Sequence, residues 1–269
     1  MPVQIAGSHS IGGAPGRARR AVLVTGASGV VGRALLRRLR DFDVVCLVHR
    51  SPVCGPDVTV VPGDITRPMF GLAEDARAEL AAKVDAVIHC AAVTDFHRTD
   101  GSLEATNIAG TGHVAAFAAA AGAVLYHVST AFVHTTAVGD RGRTAVGYAS
   151  SKAAAEQVVR SSGVPHVIFR PSVVIGDSVT GEIAASQGLH QVAAGIFAGL
   201  VPVIPFDPGW PVGFVPADVV AGAITCAVEN RVSAGVFWLS AGEKALRLDE
   251  SVAVAVELAR GLGVSIDMP

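Results

Sequence analysis

The chain has 269 residues, of which 51% are hydrophobic and 16% charged, and it carries a formal net charge of −2. High apolarity with little net charge excludes a disordered chain, and the lack of a basic surplus argues against a phosphate-backbone partner, so no nucleic acid is expected. A mean hydropathy of +0.49 does not mark a membrane protein, because the uncharged stretches Val114 to Ala137 and Ile183 to Phe206 are broken by Gly, His, Gln, Ser or Pro, and no spanning helix is expected.

Residues 1–20 lack an apolar signal-peptide core and are rich in Gly, Ser and Arg, which predicts a flexible leader with Arg17, Arg19 and Arg20 in solvent and a cytoplasmic protein. From residue 21 onward, β-branched runs alternate with Ala-, Leu- and Arg-rich segments of helical length. This pattern predicts an α/β protein, a Rossmann-type doubly wound parallel sheet covered on both faces, with a small C-terminal substrate lobe. Strands are expected near 21–25, 43–48, 58–61, 84–89, 123–129, 164–169 and 235–239, and helices near 30–40, 72–81, 102–121, 146–162, 188–198, 216–229 and 249–262. Residues 21–170 read as the dinucleotide-binding domain, and 171–269 as a mixed segment in which a substrate lobe is followed by elements that pack back on the sheet. Pro and Gly crowd 199–216, as suits irregular loops that cover a ligand.

Directly after the first strand stands Thr25-Gly26-Ala27-Ser28-Gly29-Val30-Val31-Gly32-Arg33, and an amphipathic helix follows. Glycines at this spacing let backbone amides approach a pyrophosphate, which points to a bound dinucleotide. The second strand ends in His49 and Arg50, with Arg33 on the first helix and no carboxylate at the tip, a pattern that favours a 2′-phosphate and hence NADP(H) over NAD(H). Asp64, in Pro62-Gly63-Asp64-Ile65, is placed either to accept from an adenine amino group or to form the turn.

The chain has only two tyrosines and three lysines, yet Tyr148 and Lys152 stand four apart in a helical segment, which puts both on one face. An adjacent ammonium favours the phenolate, so the pair is suited to moving a proton to or from a carbonyl oxygen. Ser129 and Thr130 end the fifth strand at the sheet edge where ligands bind, and either hydroxyl is placed to hydrogen-bond the reacting oxygen. Asn107 is a poor helix former and is expected to use its amide, either on a water beside Lys152 or on a neighbouring helix. His89, His127 and His166 lie in strand-like runs and read as core or edge residues; no metal site is expected, and the cysteines at 46, 54, 90 and 226 read as small buried hydrophobes.

These motifs in this order resemble the extended short-chain dehydrogenases/reductases, and most of all their thioester reductase and fatty acyl reductase (male-sterility) branch. The likeness runs from residue 21 to about 262 and rests on Val24 to Arg33, Pro62 to Ile65 with Phe70-Gly71-Leu72, Val87 to Ala92, Thr106 to Thr111, His127 to Val133, Tyr148 to Lys152, Arg170 to Ser178 and Phe214 to Val220. The resemblance implies a catalytic tetrad of Asn107, Thr130, Tyr148 and Lys152, with Thr130 chosen over Ser129. It also implies that Gly26, Ser28, Gly29, Val30, Val31, Gly32, Arg33, His49, Arg50, Asp64 and Ile65 bind the cofactor. Cys90, Ala91 and Ala92 would line the path to the nicotinamide, and Pro171, Val173 and Val174 would support its ring beside Tyr148 and Lys152. The implied activity is hydride transfer from NADPH to a carbonyl, either an acyl thioester held by a carrier protein or coenzyme A, or a ketone. The other readings are an NAD-dependent sugar-nucleotide epimerase or dehydratase and a non-catalytic dinucleotide sensor. Only 17 residues separate Thr130 from Tyr148, and the chain stops soon after Gly263, which is short for this family. The expectation is a pocket left open for a tethered acyl chain, a pocket completed by a second copy in a homodimer, or an impaired enzyme.

Overall fold

A computed structural model describes residues 19–53, 55, 57–95, 100–137, 143–184 and 207–261. The elements follow in the order β1 (Ala21–Thr25), α1 (Val30–Leu36), β2 (Asp43–Val48), β3 (Val58–Pro62), α2 (Glu74–Lys83), β4 (Val84–His89), a π-helical turn at Glu104–Ala109, α3 (Gly110–Ala121), β5 (Val124–Val128), α4 (Arg143–Ser161), β6 (His166–Pro171) and β7 (Val173–Ile175). Beyond these come β8 (Pro211–Val212), β9 (Phe214–Pro216), α5 (Ala217–Glu229), β10 (Ala234–Leu239), β11 (Leu246–Arg247) and α6 (Leu248–Gly261).

Seven strands form one sheet in the order β10-β6-β5-β4-β1-β2-β3, with every pairing parallel. The chain winds outward from β1 to β3 on one side and from β4 to β10 on the other. The order therefore reverses between β1 and β4, and at their carboxyl ends the crossovers diverge to leave a crevice.

The inner strands are apolar on both faces because both are covered, whereas the edge strands β3 and β10 are partly exposed. Val22, Val24, Val44, Ile88, Tyr126 and Phe169 pack with Leu35, Val220 and Ile224 of α1 and α5. The alternate residues Leu23, Leu47, Val87, Leu125 and Ile168 pack with Val114, Phe117 and Val159 of α3 and α4. Tyr126 is wholly buried with its hydroxyl 3.4 Å from Ala227 O, which makes it a core residue.

Several elements differ from the sequence expectation. The first helix stops at Leu36 because the backbone tightens there, Arg38 N bonding Leu35 O at 2.8 Å. The helix expected over 102–121 is interrupted by the π turn, which sets Asn107 inward. Residues 171–216 add short strands that period-based reading misses: β7 pairs with β9, and β8 with β11. Arg20 is not a free solvated charge, since its Nη1 donates to Val228 O at 2.8 Å and its guanidinium lies over Phe42. Of the cysteines, Cys46 is buried, but Cys90 is half-buried and Cys226 exposed, so the buried reading holds for Cys46 alone among these three. Cys54, residues 1–18 and the helix expected at 188–198 lie outside the described residues. Among the described residues no helix is long and apolar enough to cross a membrane.

Candidate active site

The turn after β1 is built on two glycines that a side chain would disrupt. Gly26 has φ +72°, and a Cβ there would lie 2.5 Å from Ala91 N, so the ends of β1 and β4 approach closely only because that Cβ is missing. A Cβ on Gly32 would run into Gly26 O and the Ala27 backbone, which locks α1 onto the turn. Gly26→Ala is expected to cost about 1–3 kcal/mol of stability and to weaken dinucleotide binding by about tenfold or more. Urea unfolding and a fluorescence titration with NADPH measure the two effects; wild-type values in both would refute the close approach.

A cleft of about 300 Å³ opens at this point, lined by Thr25 to Gly29, Leu47 to Ser51, Val53, Gly63 to Thr66, Cys90 to Ala92 and Thr106. It takes in the predicted contacts Gly26, Ser28, Gly29, His49, Arg50, Asp64, Ile65, Cys90, Ala91 and Ala92. The missing Cβ at Gly26, the helix that starts at Val30 and the run of the cleft along the strand ends fit a dinucleotide. The remaining predicted contacts sit outside this lining. Val30 and Gly32 are buried in α1 and shape the turn from behind, Val31 and Arg33 lie on the same helix, Tyr148 and Lys152 are on α4, Pro171 ends β6, and Val173 and Val174 pair with β9. Arg33 Nε donates to Ser28 O at 3.1 Å. Asp64 holds the turn, accepting from Thr66 N and Thr66 Oγ1, and its carboxylate stands 3.5 Å from His49 Nε2. Burial works to raise its pKa, but the two Thr66 hydrogen bonds and the neighbouring His49 and Arg67 hold it below the ordinary range.

At the end of β5 the two candidate hydroxyls part. Ser129 Oγ donates to Glu156 Oε1 at 2.6 Å and is committed to that carboxylate. Thr130 hydrogen-bonds the Tyr148 side chain instead. Tyr148 is only 8% exposed and Lys152, one turn on, 2%. Burial pushes the phenol up to about 12 against the Thr130 hydrogen bond. It pushes the Lys152 amine down to about 8, opposed by Cys90 and Glu156. The expectation that Lys152 draws the phenol toward phenolate is thus reversed. The reason is burial, which outweighs the Thr130 hydrogen bond at the phenol, while Lys152 Nζ turns to Val128 O at 2.8 Å and to His127 Nε2 at 3.4 Å. A phenol held in its protonated form is a hydrogen-bond donor, suited to an oxygen that gains negative charge.

Asn107 uses its amide fully. Its Oδ1 accepts from Val93 N at 2.8 Å, and its Nδ2 donates to Val93 O and Ser151 Oγ, each at 3.0 Å. Ser151 in turn donates to Tyr148 O at 2.7 Å, so Asn107 braces the post-β4 loop against the helix that carries the phenol. The contact with a neighbouring helix that the sequence allowed is present, through Ser151 on α4.

Two groups escape the sequence reading. One is Ser151. The other is Glu156, which is 3% exposed, accepts from Arg170 through Nε at 2.8 Å and Nη2 at 2.5 Å, and also takes Arg160. Burial raises its pKa, but the bonds from Arg170 and Ser129 outweigh this and hold it below the ordinary value. Glu156 continues the spacing of Tyr148 and Lys152 by another four residues, which was the signal available for it.

A doubly wound parallel sheet with a glycine turn at its switch point is a dinucleotide-binding fold of the extended short-chain dehydrogenase/reductase type. Comparison with known proteins gives the same class and narrows it. The family described as Male sterility protein matches residues 54–224, and the chain belongs to it. It is 32% identical over 240 residues to the polyketide synthase-nonribosomal peptide synthetase ffsA of Aspergillus flavipes, covering 78% of this chain and 6% of that protein. It is 31% identical over 248 residues to the isonitrile lipopeptide synthase of Streptomyces coeruleorubidus, covering 76% of this chain and 16% of that one. Among solved structures, the terminal R domain from the myxalamid PKS-NRPS biosynthetic pathway superposes with a TM-score of 0.78 at 26% identity, over 94% of this chain and 72% of that domain. The chain thus spans only a small part of the two synthetases and most of the solved domain.

Proposed function

We propose that the chain is an NADPH-dependent thioester reductase that acts on acyl groups delivered by a carrier protein or coenzyme A. The observation that carries this reading is the pairing of Thr130 with the buried Tyr148 phenol beyond the end of β5, while the neighbouring Ser129 is withdrawn onto Glu156. Bound NADPH would supply the hydride. Tyr148 and Thr130 hold the thioester oxygen, so that negative charge arising there meets two hydroxyl donors in a site of low dielectric. Lys152, fixed on Val128 O, keeps a positive charge close behind them, and Asn107 sets the helix from which Tyr148 projects. The C–S bond then breaks as the carbonyl re-forms: R–CO–SR′, NADPH and a proton give R–CHO, R′–SH and NADP⁺. The preference for the 2′-phosphate is supported by Arg50 in the cleft lining, by Arg33 on α1, and by the engagement of Asp64 with Thr66 and His49. The carrier-bound substrate is supported by the synthetases and the terminal R domain to which the chain is similar.

The test is incubation with NADPH and an acyl-pantetheine thioester, following the reduced nicotinamide and free thiol together. Equimolar loss of NADPH and release of thiol is expected, with NADPH preferred over NADH. A retained cofactor with no net oxidation would favour an epimerase-type reaction, and tight cofactor binding without thiol release across acyl chain lengths would overturn the reading.

A further inference from the structure

On the face of the sheet covered by α3 and α4, the apolar row Leu23, Val87 and Leu125 gives way two residues later to Thr25, His89 and His127. The register places these side by side, Thr25 opposite His89 and His89 opposite His127. Both imidazoles are buried, with ring centroids 5.3 Å apart. Burial keeps both neutral: it takes His89 down to about 3 and His127 well below its usual value, and the Lys152 charge adds to each.

The hydrogen bonds fix the proton on His89. The Thr111 hydroxyl gives its single proton to Asn107 O at 2.6 Å, so at 3.0 Å it must accept from His89 Nε2–H. His89 Nδ1 is then the acceptor for Thr25 Oγ1 at 2.7 Å. His127 has no such closure. Its Nε2 stands 3.4 Å from Lys152 Nζ, and its Nδ1 is buried without a hydrogen-bond partner among the described residues. An unpaired buried ring nitrogen costs free energy that a leucine would not, so its place in the core calls for a task at the other nitrogen.

We propose that His127 is a positioning residue for Lys152: its unprotonated Nε2 accepts from the buried ammonium, which together with Val128 O occupies two of the three amine protons and leaves the third for the crevice. This rests on the placement of Lys152 in the active site made above. The other titratable groups around the amine are Cys90 at the end of β4, Tyr148 and Glu156 on α4 itself, and, through His127, His89 on β4 and His166 on β6. A protonated His127 would set a like charge against Lys152, and its neutrality removes that conflict.

The chain has three lysines, Lys83, Lys152 and Lys244, so NMR of lysine-labelled, cofactor-free protein resolves each amine, with exposed Lys83 and Lys244 as internal controls. Lys152 is expected to titrate near pH 8. In His127→Gln an amide oxygen reaches the position of Nε2, and the titration stays within error of wild type. In His127→Leu and His127→Asn no acceptor reaches that position, the charged amine loses a hydrogen bond, and its titration falls by about one pH unit or more. Because kcat/KM for NADPH reports groups of the free enzyme, its decline at high pH, where the ammonium is lost, shifts to lower pH by the same amount. Should the leucine variant fail to fold, the Gln and Asn pair decides alone. A Lys152 titration unmoved or raised in the Asn variant, or lowered equally by Gln, overturns the proposal. Failure of the reductase reading is a separate result: no thiol release, with the Lys152 shifts intact.

Discussion

Tyr148→Phe is expected to lower kcat for thioester reduction by about 10²–10⁴-fold while NADPH still binds. The ring is 8% exposed and packs in the same volume without its hydroxyl, so the substitution removes a donor and leaves the cleft at Gly26 to Ser28 untouched. The hydroxyl that remains, on Thr130, then lacks its partner and holds the substrate oxygen alone. No second phenol can substitute, because Tyr126 points to Ala227 O on the opposite face of the sheet. Steady-state turnover with an acyl-pantetheine thioester, alongside an equilibrium titration with NADPH, separates the two effects. Turnover within a few-fold of wild type would remove Tyr148 from the chemistry.

Glu156→Leu is expected to destabilise the fold by about 3–5 kcal/mol. The carboxylate gathers Ser129, Arg170 and Arg160, and its loss strands a guanidinium whose side chain is only 19% exposed. Arg170 keeps the face of Trp238, 4.8 Å away, and some water, which places the loss toward the lower end of that range. Glu156→Gln keeps the shape and can still accept from Ser129, so a smaller loss is expected. Urea unfolding monitored by fluorescence measures both, and a loss below about 1 kcal/mol in the leucine variant would show that the pair is held by solvent instead of by the fold.

The two predictions differ in how visible their residues are before folding. Tyr148 and Lys152 stand out because tyrosine and lysine are scarce and one helical turn relates them. Glu156 extends the same face, yet its partners Ser129 and Arg170 are 27 and 14 residues away, and only the packing of α4 beside β5 and β6 joins them. The same holds for Thr25 and His89, 64 residues apart and made neighbours by the register of β1 with β4. Asn107 is legible as an amide with a task, but not its partners, since a π turn rotates it toward Val93 and Ser151. The upward shift of the phenol is not legible from spacing, because spacing cannot say how deeply the ring is buried or that Lys152 turns to Val128 O.

The amino-acid order by itself determined the seven strands of the main sheet, the glycine turn, the Tyr-Lys pair and the family. All of these rest on periodicity and on residues within a few positions of each other, where chain geometry leaves few choices. Tertiary structure alone decided which hydroxyl is committed to Glu156, which charges are paired, and which imidazole lies beside the amine. Those outcomes depend on burial and on hydrogen bonds between strands and helices far apart in sequence, and neither exists until the sheet is wound and covered.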